Sequence, residues 1–117
     1  MLSELDGLVV VLVRPRNPLN IGAAARAMSN FGAHRLRLVN PFAEGFREAK
    51  SAVGASDLLQ NARRVERLAA AVADCTLVVG TGTLQHRKPE QPVIPLPELT
   101  LIVGAELARG GREYRRP

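Results

Sequence analysis

The sequence predicts an α/β domain with a doubly wound, mostly parallel sheet. Three observations carry that reading. Apolar runs of strand length, Gly7–Val13 (GLVVVLV) and Thr76–Gly80 (TLVVG), show no polar alternation, as strands covered on both faces do. Segments with helical spacing separate the strand-like runs, which implies parallel pairing through right-handed crossovers. Aromatic residues make up only 3% of a chain that is 46% hydrophobic, so the core is aliphatic. The length of 117 residues fits one domain, 1–117.

The elements follow in order. Gly7–Val13 is a strand, and the two prolines of Arg14–Leu19 (RPRNPL) stop it. Asn20 is expected to cap a helix whose Ile21, Ala24, Ala25, Met28 and Phe31 recur at helical spacing. Gly32 is expected as its left-handed end. Arg35–Val39 (RLRLV) alternates and reads as a second strand, ended by Asn40-Pro41. Ala43–Asn61 could hold an interrupted helix, with Gly54 as a weak point and Ser56-Asp57 capping a second piece. Arg63–Ala73 predicts an amphipathic helix and Thr76–Gly80 a third strand. Gln85–Glu98 holds four prolines and reads as a loop, Leu99–Val103 (LTLIV) as a fourth strand, and 110–117 as a disordered tail.

Composition narrows the function classes. Sixteen Lys and Arg against eleven Asp and Glu give a net charge of +5, compatible with a polyanionic partner such as RNA. Cys75 is the single cysteine, which excludes an internal disulfide and a Cys-rich zinc site; its place before an apolar run marks a small core residue. His34 and His86 have no partner at metal spacing, so no metal site is expected. The short acidic start is no signal peptide, and no apolar run approaches the ~20 residues that span a bilayer. No membrane contact and a cytoplasmic location are the expectations.

In open parallel sheets, ligands bind beyond the carboxyl ends of the strands. Three segments fall there. Arg14–Arg26 joins a strand to a helix N-terminus, with Arg14, Arg16 and Arg26 adding charge; a phosphate site and a capped helix with solvated arginines both fit. It is neither a phosphate loop of the GxxxxGK[ST] kind nor a GxGxxG fingerprint. Gly80–Thr83 (GTGT) could meet an adenine edge or make a tight turn. Gly104-Ala105-Glu106 follows the fourth strand, where the carboxylate could meet a ribose hydroxyl or a cation, or lie on the surface.

Val10–Pro41 resembles the first motif of the SpoU family, RNA 2′-O-methyltransferases of the SPOUT superfamily. The matching residues are Asn20, Gly22, Arg26, Asn30, Phe31, Gly32 and Val39-Asn40-Pro41. The likeness runs from about Leu8 to Thr83 and is nearest the branch that methylates the anticodon loop of tRNA. LTLIVGAELARGG resembles the second motif, with Gly104 and Glu106 as counterparts. The family usually carries a longer segment, including a helix, before that motif. The third motif, with its Ser-Leu-Asn, does not occur in the 117 residues. In the family it forms the trefoil knot, much of the cofactor pocket and the dimer interface.

The resemblance implies a SPOUT-like α/β knot fold lacking the C-terminal knot segment, hence a C-terminally truncated domain. It implies an S-adenosyl-L-methionine cofactor, an RNA partner (tRNA or rRNA) and a homodimer. Asn20, Arg26 and Glu106 are the implied catalytic residues; Thr81, Gly82, Thr83 and Gly104 would bind the cofactor, and Arg14, Arg16 and Arg26 the RNA. Arginine stays cationic at neutral pH, so a fork that holds a phosphate and polarises the 2′-oxygen is easier than a simple base. The alternative is a catalytically inactive remnant that still binds RNA. The tail RGGREYRRP reads like out-of-frame translation of GC-rich DNA, as in a frameshifted gene product.

Overall fold

A computed structural model describes residues 5–41, 54–81 and 92–113. A three-stranded parallel sheet in the order β1-β2-β3 organises them. β1 spans Val9–Val13, α1 Pro18–Phe31 and β2 Arg35–Val39; α2 spans Ser56–Gln60, β3 Arg63–Val65, α3 Leu68–Ala71 and α4 Leu96–Glu113. Val9–Val13 pair in register with Arg35–Val39, and Arg37–Val39 with Arg63–Val65.

The central strand explains the layering. Side chains alternate along β2, so Leu36 and Leu38 point one way and Arg37 the other. Leu36 and Leu38 join Ile21, Ala25 and Met28 of α1 and Leu59 of α2 in the buried core. On the opposite face Arg37 meets Ala71 of α3. Helices therefore cover both faces of the sheet, as a doubly wound arrangement requires. Ile21, Leu38 and Leu59 are fully enclosed, which puts the best-packed part of the core between α1, β2 and α2.

The ends of α1 are chemically marked. Asn17, not Asn20, is the N-cap: its side-chain oxygen accepts the Leu19 N–H at 2.9 Å. Pro18 occupies the first helical position, where its missing N–H costs no bond, so the helix starts before Asn20. Gly32 closes the helix as expected, with φ 86°, while Ala33 N–H donates to Met28 O at 2.9 Å.

Several other elements differ from the sequence expectation. The helix expected over Arg63–Ala73 is split into β3 and α3. β2 has a second edge to satisfy, and pairing it with Arg63–Val65 outweighs the helical periodicity. Gly54 is indeed a bend, at φ 76°, but α2 is capped at Ala55 without a side-chain bond; residues 42–53 lie outside the described residues. Thr76–Gly80 is not a strand of the sheet: Leu77, Val78 and Val79 are exposed. β1, expected buried on both faces, is half-buried and its Val13 is 52% exposed. Among the described residues it bonds one neighbour only.

The expected strand Leu99–Val103 is the middle of α4. Pro97 in the first turn, followed by Glu98, suits a helix start. Leu99, Val103, Glu106 and Leu107 are its partly covered residues, at helical spacing, while Leu101 and Ile102 are exposed. A five-residue apolar run cannot by itself separate strand from helix, and the longer pattern decides it here. α4 also takes in the end of the expected loop, from Leu96, and the start of the expected tail, to Glu113; residues 114–117 lie outside the described residues. None of the described helices is long and apolar enough to cross a membrane.

Candidate functional site

β1 and β2 end in the same way. Arg14, just past β1, has φ 51°, and Asn40, just past β2, has φ 48°. Each still uses its N–H for the ladder: Arg14 to Val39 O at 2.8 Å, Asn40 to Val65 O at 2.7 Å. The last ladder bond is thus made by a residue that has already turned left-handed, and the chain leaves the sheet sharply. Asn adopts this region readily; for a residue such as Arg the cost is about 1–2 kcal/mol.

The turn after Arg14 leads through Pro15 and Arg16 to the Asn17 cap. The expected free amides at the start of α1 are occupied: Leu19 N–H is taken by the Asn17 side chain, and Asn20 and Ile21 N–H by Asn17 O. An anion here would be held by side chains and by the positive end of the helix dipole, which no acidic residue of the first turn offsets. Arg14, Arg16, Asn20 and Arg26 are all exposed. None of the three arginines has a carboxylate partner among the described residues. Gly22 is buried near the start of α1. Asn20 and Arg26 are not bonded to each other. Six helical residues separate them by about 9 Å along the axis and roughly a third of a turn around it.

The remaining expected residues lie elsewhere. Thr81 is exposed at the end of the irregular stretch 77–81, whose peptide groups make no hydrogen bond among the described residues. A Cβ on Gly80 would meet nothing within 4 Å. Gly82 and Thr83 lie outside the described residues. Gly104 and Glu106 are in α4, not at the carboxyl end of a strand, and Gly104 is likewise open. The Glu106 carboxylate accepts hydrogen bonds from Thr76 Oγ1 and Arg109 Nη2. Those bonds, the Thr76 one first, hold it below the usual carboxylate range. The structure thus brings Arg14, Arg16 and Asn20 to one turn, with Arg26 further along the same helix.

One polar cluster was missed by the sequence reading. Arg37, only 4% exposed, donates from Nη1 to Ala71 O at 2.6 Å and to Asp74 Oδ1 at 2.5 Å, and from Nη2 to Asp74 Oδ2 at 2.8 Å. The hydrogen bond to Asp74 raises the guanidinium above its ordinary value against the pull of burial. The same bond holds Asp74 at about 2. Neighbouring Cys75 is pushed up by burial and by Asp74, while Arg37 pulls it down. The signal was present in RLRLV, where alternation puts Arg37 opposite two core leucines. The distant acidic partner could not be read from it. No cluster of metal-binding side chains occurs among the described residues.

Comparison with known proteins places this arrangement. The sequence profile described as the SpoU rRNA Methylase family matches residues 7–110. The chain is 45% identical over 118 aligned positions to the tRNA (cytidine/uridine/adenosine-2′-O-)-methyltransferase TrmJ of Pseudomonas aeruginosa, covering 94% of this chain and 46% of the relative. It is 39% identical to the tRNA (cytidine/uridine-2′-O-)-methyltransferase TrmJ of Escherichia coli over 105 positions, 89% of this chain and 42% of the relative. The chain thus spans less than half the length of these relatives. Among solved structures, a protein of Neisseria gonorrhoeae assigned to the methylase family matches with a TM-score of 0.73 at 27% identity, over 94% of this chain and 60% of that one. TrmJ from Z. mobilis matches with a TM-score of 0.54 at 42% identity, over 64% of this chain and 37% of that one. With its parallel sheet, its left-handed strand ends and a profile match that covers nearly the whole sequence, the chain belongs to the SpoU methylase family.

Proposed function

We propose that the chain carries the RNA-facing part of a methyltransferase that modifies a ribose 2′-hydroxyl of tRNA, with S-adenosyl-L-methionine as methyl donor. One observation carries this reading: Arg14 and Arg16 in the strand-to-helix turn that the family motif occupies, and Arg26 further along α1, are exposed and have no carboxylate partner among the described residues. Arg14 and Arg16 stand at the positive end of α1, where an anion is favoured, and Arg26, about two turns along the helix, adds a further cation for an RNA phosphate. The TrmJ relatives, named for tRNA 2′-O-methylation, support tRNA as the RNA.

When bound, the donor supplies a methyl group on a sulfonium, which departs as a neutral thioether. The peptide groups of 77–81, without hydrogen bonds among the described residues, are assigned to one edge of its adenine together with Thr81; Gly82 and Thr83 are assigned to the donor from the family motif alone. Arg26 holds a backbone phosphate with one arm of its guanidinium and polarises the 2′-oxygen with the other. A guanidinium takes up no proton, so the hydroxyl proton passes to solvent as the carbon–oxygen bond forms. Asn20 orients the ribose. Glu106 and Gly104 stand outside this arrangement, and Glu106 is assigned the tethering of α4 to Thr76. Following the family, the chain acts in the cytoplasm as a homodimer.

A second reading, RNA binding without methyl transfer, is favoured by one feature: the segment expected to be the second motif is the helix α4. Transfer of radiolabelled methyl from adenosylmethionine to unmodified tRNA separates the two. Incorporation that is lost when the 2′-hydroxyl is replaced by hydrogen supports the first reading. Salt-dependent tRNA binding without incorporation supports the second.

A further inference from the structure

Arg37 is the one buried charged residue among the described residues, and the mechanism above does not use it. Taking a guanidinium out of water is costly, and a pair of apolar side chains of similar volume in place of Arg37 and Asp74 would hold the fold as well or better. What the ion pair adds is geometry. Two hydrogen bonds to both oxygens of Asp74 and one to Ala71 O fix the turn after α3 to the middle of the central strand. Two residues beyond Asp74, Thr76 Oγ1 donates to Glu106 of α4. The turn 71–76 is therefore held at one end by the sheet and at the other by α4. The irregular stretch 77–81 begins where that turn ends, and it has no hydrogen bonds of its own among the described residues. Its placement depends on its root.

We propose that Arg37 is a positioning residue: from the central strand it fixes the root of 77–81, and so sets where that stretch presents its free peptide groups. The link to the methyl donor rests on the function proposed above; the anchoring itself does not.

Cys75 provides a probe inside the anchored turn. It is the single cysteine of the chain, half-buried, and its thiol lies 3.8 Å from Asp74 Oδ1. In Arg37→Met, electrostatics and anchoring predict opposite changes. Losing the positive charge beside Asp74 makes the thiol harder to ionise, which slows its reaction with dithionitrobenzoate. Losing the anchor opens the turn, which speeds it. The expected result is labelling faster by about tenfold, more than a core variant of equally lowered urea stability shows. Unchanged or slower labelling in the folded variant overturns the proposal. If Arg37→Met does not fold, Arg37→Lys decides: the charge stays, the two-armed bond is lost, and labelling still accelerates if the fork is the anchor. Parent-like labelling in Arg37→Lys overturns it. A merely structural pair would change the Cys75 rate only in step with global stability, as the core variant Leu38→Ala does. Calorimetry with S-adenosylhomocysteine tests the donor link. Its affinity falls about fivefold in the variants while tRNA binding stays within about twofold, as expected of a positioning role. If the parent chain binds no S-adenosylhomocysteine, the donor reading fails, and the Cys75 rates still decide whether Arg37 anchors the turn.

Discussion

The α1–β2 half and the α4 half of the molecule are built on different terms. In the first, helix caps, apolar periodicity and strand pairing agree with one another. Asn17 and Gly32 end α1, and Ile21, Ala25 and Met28 meet Leu36 and Leu38 in an enclosed layer. In the second, apolar side chains stay in the open. Val78, Leu96 and Leu101 are mostly exposed, and the tie to the rest includes the hydrogen bond that Glu106 accepts from Thr76. Consistency between levels is what makes a fold specific, and here it is concentrated around β2.

Core substitutions break this comparison most strongly. Leu38→Ala empties a fully enclosed site and should cost about 3 kcal/mol in urea unfolding, whereas Leu101→Ser on exposed α4 should stay within about 0.5 kcal/mol. Equal losses would show that α4 is as integral as the sheet. Next in size is Arg26→Lys, which keeps the charge and loses the fork. Methyl transfer by that variant should fall about a hundredfold, with tRNA affinity changed by less than about threefold. Full turnover would refute the two-armed role. Asn17→Ala removes the side-chain cap of α1 and should cost about 1 kcal/mol. Asn20→Ala should cost much less, because Asn17 and not Asn20 accepts the capping bond.

The acid limb of the stability curve gives the smallest effect. Asp74 lies at about 2 in the folded chain against an ordinary value of 3.8. The folded value is the lower one, so the contribution is complete above the ordinary value and is lost as the pH falls toward 2. Asp74→Asn should flatten the pH dependence of unfolding between about pH 4 and pH 2 and leave its slope near neutrality unchanged. An unaltered acid slope would mean that the pair forms as readily in the unfolded chain.

The same division decides what the sequence could tell. Gly32, the Ile21, Ala25 and Met28 stripe of α1 and the β2 alternation were legible because each is a local rule with a local cause, whereas Phe31, at the same spacing, stays exposed at the helix end. The motif residues Asn20 and Arg26 were legible through the family pattern. β3 was not, since three residues pair with β2 only because β2 has an open edge, and nothing within Arg63–Val65 reports that edge. α4 was hidden by LTLIV, five apolar residues that suit either element. The helical spacing of Leu99, Val103 and Leu107 appears only over a longer window. Asp74 as the partner of Arg37 was out of reach because the two are 37 positions apart.

The paired left-handed corners at Arg14 and Asn40 have a consequence for variation. Each corner completes the hydrogen-bond ladder before the chain departs, so the register of the strands is closed off from whatever comes next. Loops grafted behind these two residues can change in length or composition at a small entropic cost without slipping the sheet. The substrate-facing rim can therefore diversify, in nature or in the laboratory, while the scaffold beneath it stays the same.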